Sequence, residues 1–309
     1  MSVIFRKEMA DHFSSKRFLI LFVIICLTGL SVAYLASQDM QNFAQLSREY
    51  RLLGFFISSA GTLPSFTFFI GFFGPLIGII LGFDAIISER SRGTISVVLS
   101  QPVFRDSLIN GKFAAGLTTV AIMFASIFII ILGLGIWALG MAPTVEELAR
   151  LGMYYLASVV YVGFWLSLGV LFSILFRRTS SSALTSIVMW IFFTFFVYMI
   201  ASVVANQLAP VSATATMEAL AQNEALHSMV MRISPAMLFD QIATAVLNPS
   251  VRSFGFINPA LMSGLIHTPL SLSQSLLVVW PEFVGLVVMM LLCFLASYIV
   301  FMYQEIRSL

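Results

Sequence analysis

The chain has 309 residues, of which 60% are apolar and only 10% are charged, and its formal net charge is +2. At a mean hydropathy of +1.00, a soluble domain of this size would lack the polar surface that it needs. The composition excludes a soluble globular protein and indicates an integral membrane protein. Nucleic acid is not a predicted partner, because the sequence has no basic stripe with interleaved aromatic residues.

The first predicted element covers residues 1–17, before the first apolar run. Phe5, Met9 and Phe13 recur at every fourth residue. This spacing predicts a short amphipathic helix lying in the cytoplasmic membrane interface. A frayed, merely cationic start is the alternative. The opposite side of the helix would carry Lys7, Glu8, Asp11 and Ser14.

Six apolar stretches are long enough to cross a hydrocarbon core of about 30 Å, which takes roughly 20 residues of helix. Alternation with a period of two residues is absent, so helices are predicted to span the bilayer. The predicted fold class is an all-α integral membrane protein with six transmembrane helices, of which the first five lie within 18–205. The stretches are 18–36, 63–87, 113–140, 152–176, 183–205 and 278–302.

The Lys and Arg residues are divided unequally between the two sides of the membrane. The positive-inside rule makes the richer side cytoplasmic, and both termini then lie inside. A secretory signal with a cleavage site at Ser31-Val32-Ala33 is the alternative, but cleavage would leave five spans and remove this bias. The richer side carries Arg6, Lys7, Lys16, Arg17, Arg90, Arg92, Arg105, Lys112, Arg177, Arg178 and Arg307; the other carries Arg48, Arg51, Arg150, Arg232 and Arg252.

Span 2 contains glycines that recur at every fourth residue. Gly74, Gly78 and Gly82 therefore fall on one helix face, where another backbone can approach closely. Helix packing and the lining of a translocation path are both compatible with this pattern. Near the inner edge of the same span, Asp84 is expected to pair with nearby arginines or to reach the interface.

A dense group of charges follows span 2, within SERSRGTISVVLSQPVFRDSLINGK at residues 88–112. Gly93 is expected to end the helix that continues from span 2. Ile95, Val98 and Leu99 then lie on one face of a short second helix. An exposed apolar stripe with charges around it needs a partner surface. A solvated loop would explain the charges but not the stripe.

The segment 206–277 is predicted to lie outside the membrane, between span 5 and the last unit, 278–309, which comprises span 6 and a short cytoplasmic tail. Ser234-Pro235 is typical of a helix start, and Leu238, Ile242 and Val246 continue it as an apolar stripe. Residues 260–277 are too apolar to be solvated and are interrupted by Pro269, which predicts a segment that re-enters or lies on the outer leaflet.

The sequence contains no recognisable catalytic or metal-binding set. Gly111-Lys112 resembles the end of a phosphate-binding loop, but Asp106 replaces the first glycine and Phe113 replaces the required Ser or Thr. No cofactor is therefore expected to bind this chain directly. The central turns of span 1 and of spans 3 to 6 carry almost no ionisable groups, which disfavours an ion-coupled carrier or an intramembrane enzyme.

The loop after span 2 also resembles a known family. Its residues are similar to the signature loop of the type-2 ABC transporter permeases, especially the branch that includes the permease of the nitrous-oxide-reductase maturation system. The plan of six spans with a surface helix before them is similar as well. The residues that carry the resemblance are Phe83-Asp84, Ile87-Ser88-Glu89-Arg90, Arg92-Gly93-Thr94, Leu99-Ser100-Gln101-Pro102-Val103, Arg105 and Gly111-Lys112.

The resemblance implies the permease subunit of an ATP-driven exporter in the plasma membrane. Residues 94–100 would form a coupling helix that docks on a separate ABC ATPase, which binds ATP and Mg. Two copies of each chain would form the transporter. A membrane anchor that transmits force from an ATPase to an extracytoplasmic protein is the alternative. The implied ATPase interface comprises Glu89, Arg90, Arg92, Gly93, Thr94, Ile95, Val98, Leu99 and Arg105.

Overall fold

The computed structural model describes residues 2–38, 50–57, 64–91, 93, 104–211, 216–254 and 269–304. The described part consists of helices and their connections. They are α1 Ser2–Ser14, α2 Lys16–Gln38, α3 Gly54–Ile57, α4 Phe66–Gly82, α5 Ile87–Ser91, α6 Arg105–Leu139, α7 Val145–Leu175, α8 Thr179–Ile191, α9 Val197–Leu208, α10 Met217–Met231, α11 Pro235–Leu247 and α12 Leu272–Tyr303, with a π-helical segment Phe192–Phe196 between α8 and α9.

Six helical units are long and apolar enough to cross a membrane, so the predicted six-helix fold class is confirmed. Most limits differ from the predicted ones by a few residues, but spans 3, 4 and 6 begin at Arg105, Val145 and Leu272, six to eight residues before the predicted starts. Which side the termini face stays a prediction. The units are span 1 Lys16–Gln38, span 2 Phe66–Ser91, span 3 Arg105–Leu139, span 4 Val145–Leu175, span 5 Thr179–Leu208 and span 6 Leu272–Tyr303.

Span 4 is the central helix of the bundle. It packs against spans 2, 3, 5 and 6 and against α11. Tyr154, Tyr161 and Trp165 are fully buried along it, and the ring of Tyr161 stacks on Phe239 of α11 at 4.5 Å between centroids. Spans 1, 5 and 6 are far less covered by the chain itself. Their exposed apolar side chains suit contact with lipid or with another protein.

The glycine face of span 2 lies against span 4. A Cβ atom at Gly78 would lie 2.5 Å from the carbonyl oxygen of Val162 and 2.8 Å from the amide nitrogen of Leu166. At Gly82 it would lie 2.6 Å from the carbonyl oxygen of Leu166, and Gly169 faces Gly82 from span 4. Helix backbones are therefore in direct contact, which only glycine permits at this separation.

Both ends of the chain's described part lie at one end of the bundle, which we call the base. There α1 packs along the beginning of span 3, and Gln304, just after span 6, accepts a hydrogen bond from Arg90. We call the opposite end the top. Spans 4 and 5 are joined at the base by the three residues 176–178.

The segment between spans 5 and 6 folds back onto the bundle. α10 and α11 are bent by 113° at residues 232–234, and Pro235 occupies the first turn of α11 as predicted. The predicted stripe Leu238, Ile242 and Val246 is buried. The sequence predicted that residues 260–277 re-enter the membrane or lie on its outer leaflet. Residues 260–268 lie outside the described part, and residues 272–277 belong to span 6. The element that doubles back is α10–α11.

Arg150 organises the top. The sequence placed it among the charges of an outer turn, whereas the structure buries it completely. Its guanidinium donates hydrogen bonds to the carbonyl oxygens of Val246 (2.8 Å) and Leu270 (2.5 Å), to Ser275 Oγ (3.2 Å) and to Glu146 Oε1 (3.1 Å). These acceptors replace water, so the burial is tolerated. One side chain thereby joins span 4, α11 and the start of span 6.

The contact between spans 2 and 4 predicts that two glycine-to-alanine substitutions change the stability of the protein in different directions. Gly78→Ala forces the two backbones apart and should cost about 1–3 kcal/mol, like other overpacking changes. A Cβ at Gly133 in span 3 meets nothing within 4 Å. Gly133→Ala should therefore be neutral or stabilising by up to about 1 kcal/mol. Thermal unfolding in detergent compares the two, and equal midpoints would mean that the glycine face is incidental.

Candidate functional site

Ionised side chains gather at the base, where the loop between spans 2 and 3 leaves and re-enters the bundle. The centre of this group is Lys112, in the third turn of span 3. Its Nζ lies 2.9 Å from Glu8 Oε1 and 2.8 Å from Glu89 Oε1. Lys7 Nζ lies 3.2 Å and 3.6 Å from the same two carboxylates. We call Lys7, Glu8, Glu89 and Lys112 the Lys112 cluster.

The cluster is buried on one side and solvated on the other. The side chain of Lys112 is 5% exposed and those of Glu8 and Glu89 are each 11% exposed, whereas Lys7 is 58% exposed. Two carboxylates face two ammonium groups, so their charges balance. Balance of this kind is what makes buried charge tolerable.

Three separate elements supply the cluster. Glu8 belongs to α1, Glu89 to the short helix α5 at the end of span 2, and Lys112 to span 3. α1 lies so close to span 3 that a Cβ at Gly111 would be 2.9 Å from Ile4 Cγ2. The sequence placed Glu8 on the polar side of a membrane-surface helix. The structure buries it because α1 packs on span 3 and Lys112 supplies the opposite charge.

The pKa of Glu8 follows from this environment. Burial by itself would raise it, but the charges and hydrogen bonds of Lys112 and Lys7 outweigh burial and bring the pKa below its ordinary value. Glu8 is therefore ionised at neutral pH. Its contribution to stability is present above the ordinary glutamate pKa and is lost as the pH falls through the lowered value.

Spans 4 and 5 fix the turn within span 2 that leads from α4 into α5. Ser173 Oγ in span 4 accepts hydrogen bonds from the amides of Ile86 (2.9 Å) and Ile87 (3.1 Å). Ser182 Oγ in span 5 donates to the carbonyl oxygen of Phe83 at 2.7 Å. The backbone groups freed where the α4 helix ends are thus satisfied by hydroxyls from neighbouring spans.

The predicted charges near this turn have partners within the chain. Asp84 pairs with Arg17 of span 1 rather than with Arg90, because the turn at 83–86 directs the two residues to different neighbours. Arg90 donates to Gln304 Oε1 at 2.8 Å, and Arg105 donates to the Gln304 carbonyl oxygen at 3.3 Å. Both sides of the loop are therefore attached to the end of span 6.

The loop itself is described only at its edges. Gly93 has φ 68°, in the left-handed region that favours glycine, and its amide donates to the carbonyl oxygen of Arg90 at 3.1 Å. Gly93 lies two residues after the last residue of α5, Ser91, where the sequence predicted a helix break. The remaining residues of the predicted coupling helix and interface lie outside the described residues: Arg92, Thr94, Ile95, Val98 and Leu99.

Comparison with known proteins identifies the family of the chain. Residues 2–306 match the family described as ABC-2 family transporter protein. The chain belongs to this family. It is similar to two proteins named "Probable ABC transporter permease protein NosY", from Pseudomonas aeruginosa (27% identical) and Stutzerimonas stutzeri (26%). Each similarity covers 194 residues, which is 61% of this chain and 64% of the relative.

Membership of the ABC-2 family and the six apolar helices make the chain a multi-pass membrane protein, which in bacteria resides in the plasma membrane. Sequence reasoning found Lys112 within the family motif but gave it no role. The pairing with Glu8 was missed because no local pattern connects residues 104 positions apart. The signal in the sequence was weak, because Lys112 directly precedes the predicted apolar stretch 113–140 and was counted among the cytoplasmic charges.

Lys112 provides a direct test of the cluster in this ABC-2 chain. Lys112→Met leaves two buried carboxylates facing each other, so it should cost about 3–5 kcal/mol. The same substitution at Lys7, whose side chain is 58% exposed, leaves both carboxylates in contact with Lys112 and should cost only about 0–1 kcal/mol. Thermal unfolding of the two variants in lipid nanodiscs measures the difference. Similar small losses for both would show that the cluster does not stabilise the base.

Proposed function

We propose that this chain is the permease subunit of an ABC transporter that exports a solute across the plasma membrane. A separate ABC ATPase binds the loop between spans 2 and 3, and two copies of each chain assemble. The observation that carries the proposal is the attachment of this loop: on one side Glu89 is held by Lys112, and on both sides arginines bind Gln304. The family and the names of the two relatives support it.

The contacts at the base supply a route for mechanical coupling. Closure of the ATPase dimer would displace residues 94–100 and, with them, α5. The ion pair between Glu89 and Lys112 would carry this displacement into span 3 and α1. The contact between Gly78 and the span 4 backbone would carry it from span 2 to the centre of the bundle. Close-packed elements of this kind shift between discrete arrangements rather than deforming continuously.

ATP hydrolysis belongs to the partner chain in this proposal. A phosphate-binding loop that ended at Gly111-Lys112 would need glycine at position 106 and Ser or Thr at position 113. This sequence has Asp106 and Phe113 there. In the structure, Lys112 is engaged with two carboxylates and is 5% exposed, so its ammonium group is not available to a nucleotide. ATP and Mg would therefore bind only to the ATPase.

The described part of the segment between spans 5 and 6 favours transport over simple anchoring of an external protein. α11 is buried along Leu238, Ile242 and Val246, and α10 packs against α9. These helices complete the bundle instead of forming a separate external surface. A force-transmitting anchor would need a long outer segment that is free to bind an external protein. In the described part of 206–277, α10 and α11 pack on the spans instead.

Co-purification tests the proposed partner. A tagged chain purified from its native membranes should carry with it an ATPase that contains a G-x-x-x-x-G-K-[ST] loop. Leu99→Asp introduces a charge into the predicted apolar contact and should abolish this capture, since apolar anchors dominate docking energies. Val145→Asp is the matched control, because Val145 is 85% exposed and lies at the top.

Two outcomes would contradict the proposal. If the unaltered chain captures no such ATPase, the assignment as an ABC permease subunit is wrong. If Leu99→Asp retains the ATPase as well as Val145→Asp does, residues 94–100 are not the docking helix.

A further inference from the structure

The bend between α10 and α11 lies halfway along the bundle. Ser234 Oγ donates to the carbonyl oxygen of Phe193 at 3.0 Å, and Phe193 is the fifteenth of the 30 residues in span 5. Phe193 belongs to the π-helical segment Phe192–Phe196. π-Helical segments are frequent at functional sites. The bend is therefore placed near the middle of span 5, far from either end of that helix.

α11 returns from this bend to the top along span 6. Leu238 Cδ1 lies 3.5 Å from the position of a Cβ at Gly285. Farther along α11, the carbonyl oxygen of Val246 accepts a hydrogen bond from the Arg150 guanidinium, which also donates to Ser275 Oγ at the start of span 6. The two helices thus run antiparallel, with the end of α11 beside the start of span 6. This register places the beginning of α11 near the middle of span 6.

Two ionisable residues face each other near the bend. Arg232 immediately precedes it, and its Nη2 lies 3.6 Å from Glu282 Oε1 of span 6. The Glu282 side chain is 5% exposed, whereas that of Arg232 is 62% exposed. Glu282 Oε2 has no hydrogen-bond partner in the part of the chain that the structure describes. At 3.6 Å the two charged groups form an ion pair without a short hydrogen bond, and most of the Arg232 side chain remains exposed.

An exposed arginine at this depth is incompatible with a surface that faces only lipid. Charged side chains within the hydrocarbon region are costly and normally face a water-filled cavity or a polar partner. Away from the ends of spans 5 and 6, their exposed side chains are apolar or aromatic, as at Tyr198, Val203 and Leu292. The exposed side of Arg232 therefore needs water or a polar partner.

We propose that Arg232 is an oxyanion contact on a water-filled route through this chain and that Glu282 is its positioning residue. The route would take a solute that carries a carboxylate or phosphate group, since a guanidinium binds both through two parallel hydrogen bonds. The buried Glu282 holds the arginine from behind and leaves the exposed side positive. This inference rests on the proposed transport function.

Thiol modification beside the arginine tests the proposal. Ile233 is 57% exposed and adjacent to Arg232. Ile233→Cys is introduced into the full chain with Cys26→Ala and Cys293→Ala, in nanodiscs with its co-purified ATPase. The probes are a sulfonatoethyl and a trimethylammonioethyl methanethiosulfonate, which are an anion and a cation of similar size. Both should react, and the anion should react faster because the local potential is positive.

Three further substitutions measure what Arg232 and Glu282 contribute. Arg232→Gln should lower the anion-to-cation rate ratio by about tenfold, as expected for a local potential of a few kT. Arg232→Lys should largely preserve the ratio, and Glu282→Gln should raise it. Val145→Cys at the top should react with both reagents at a ratio that Arg232→Gln does not change. Leu292→Cys, 59% exposed on span 6, should not react.

The inference is overturned if Ile233→Cys reacts with neither reagent, which would place the bend against lipid or another protein. It is also overturned if Arg232→Gln or, should that variant not fold, Glu282→Gln leaves the rate ratio unchanged. Retention of the ATPase by Ile233→Cys distinguishes this failure from failure of the proposed function. In that case the chain remains an ABC permease subunit and only the anion route is rejected.

Discussion

One buried ammonium group, that of Lys112, determines how the base of this protein is built. It lies within 3 Å of two carboxylates from different elements, Glu8 and Glu89. Neither carboxylate would be stable in its present position without it. Because α1, α5 and span 3 converge on this group, the two described ends of the loop between spans 2 and 3 are joined to each other and to α1. The proposed docking of an ATPase depends on this constraint.

A second constraint operates inside the bundle. Span 2 touches span 4 backbone to backbone at Gly78 and Gly82, so the two helices have little freedom to separate. Ser173 and Ser182 hold the end of α4 from spans 4 and 5. In the proposed mechanism, movement at the base would therefore pass to the centre of the bundle through these short contacts. The top is held separately, by the hydrogen bonds of Arg150, and would respond only through the spans.

Hydropathy and local patterns predicted the six spans, the start of α11 at Ser234-Pro235 and the glycine face, because each depends on neighbouring residues. They failed where a residue is paired with distant parts of the chain. Arg150 and Arg232 were counted as loop charges, since a hydropathy window cannot show that a bent helix pair returns into the bundle. Glu8 was placed on a solvated face for the same reason. The docking helix at 94–100 stays a prediction.

The most direct test of the coupling route is whether α1 and α5 move as one body. Spin labels on the exposed residues Val3 and Ser91 allow their separation to be measured in the ATPase complex, without nucleotide and with ATP trapped. A single narrow distance that is the same in both states is expected, and Lys112→Met should broaden it. A change of more than about 5 Å, roughly one helical turn, between the two states of the unaltered protein would contradict the account.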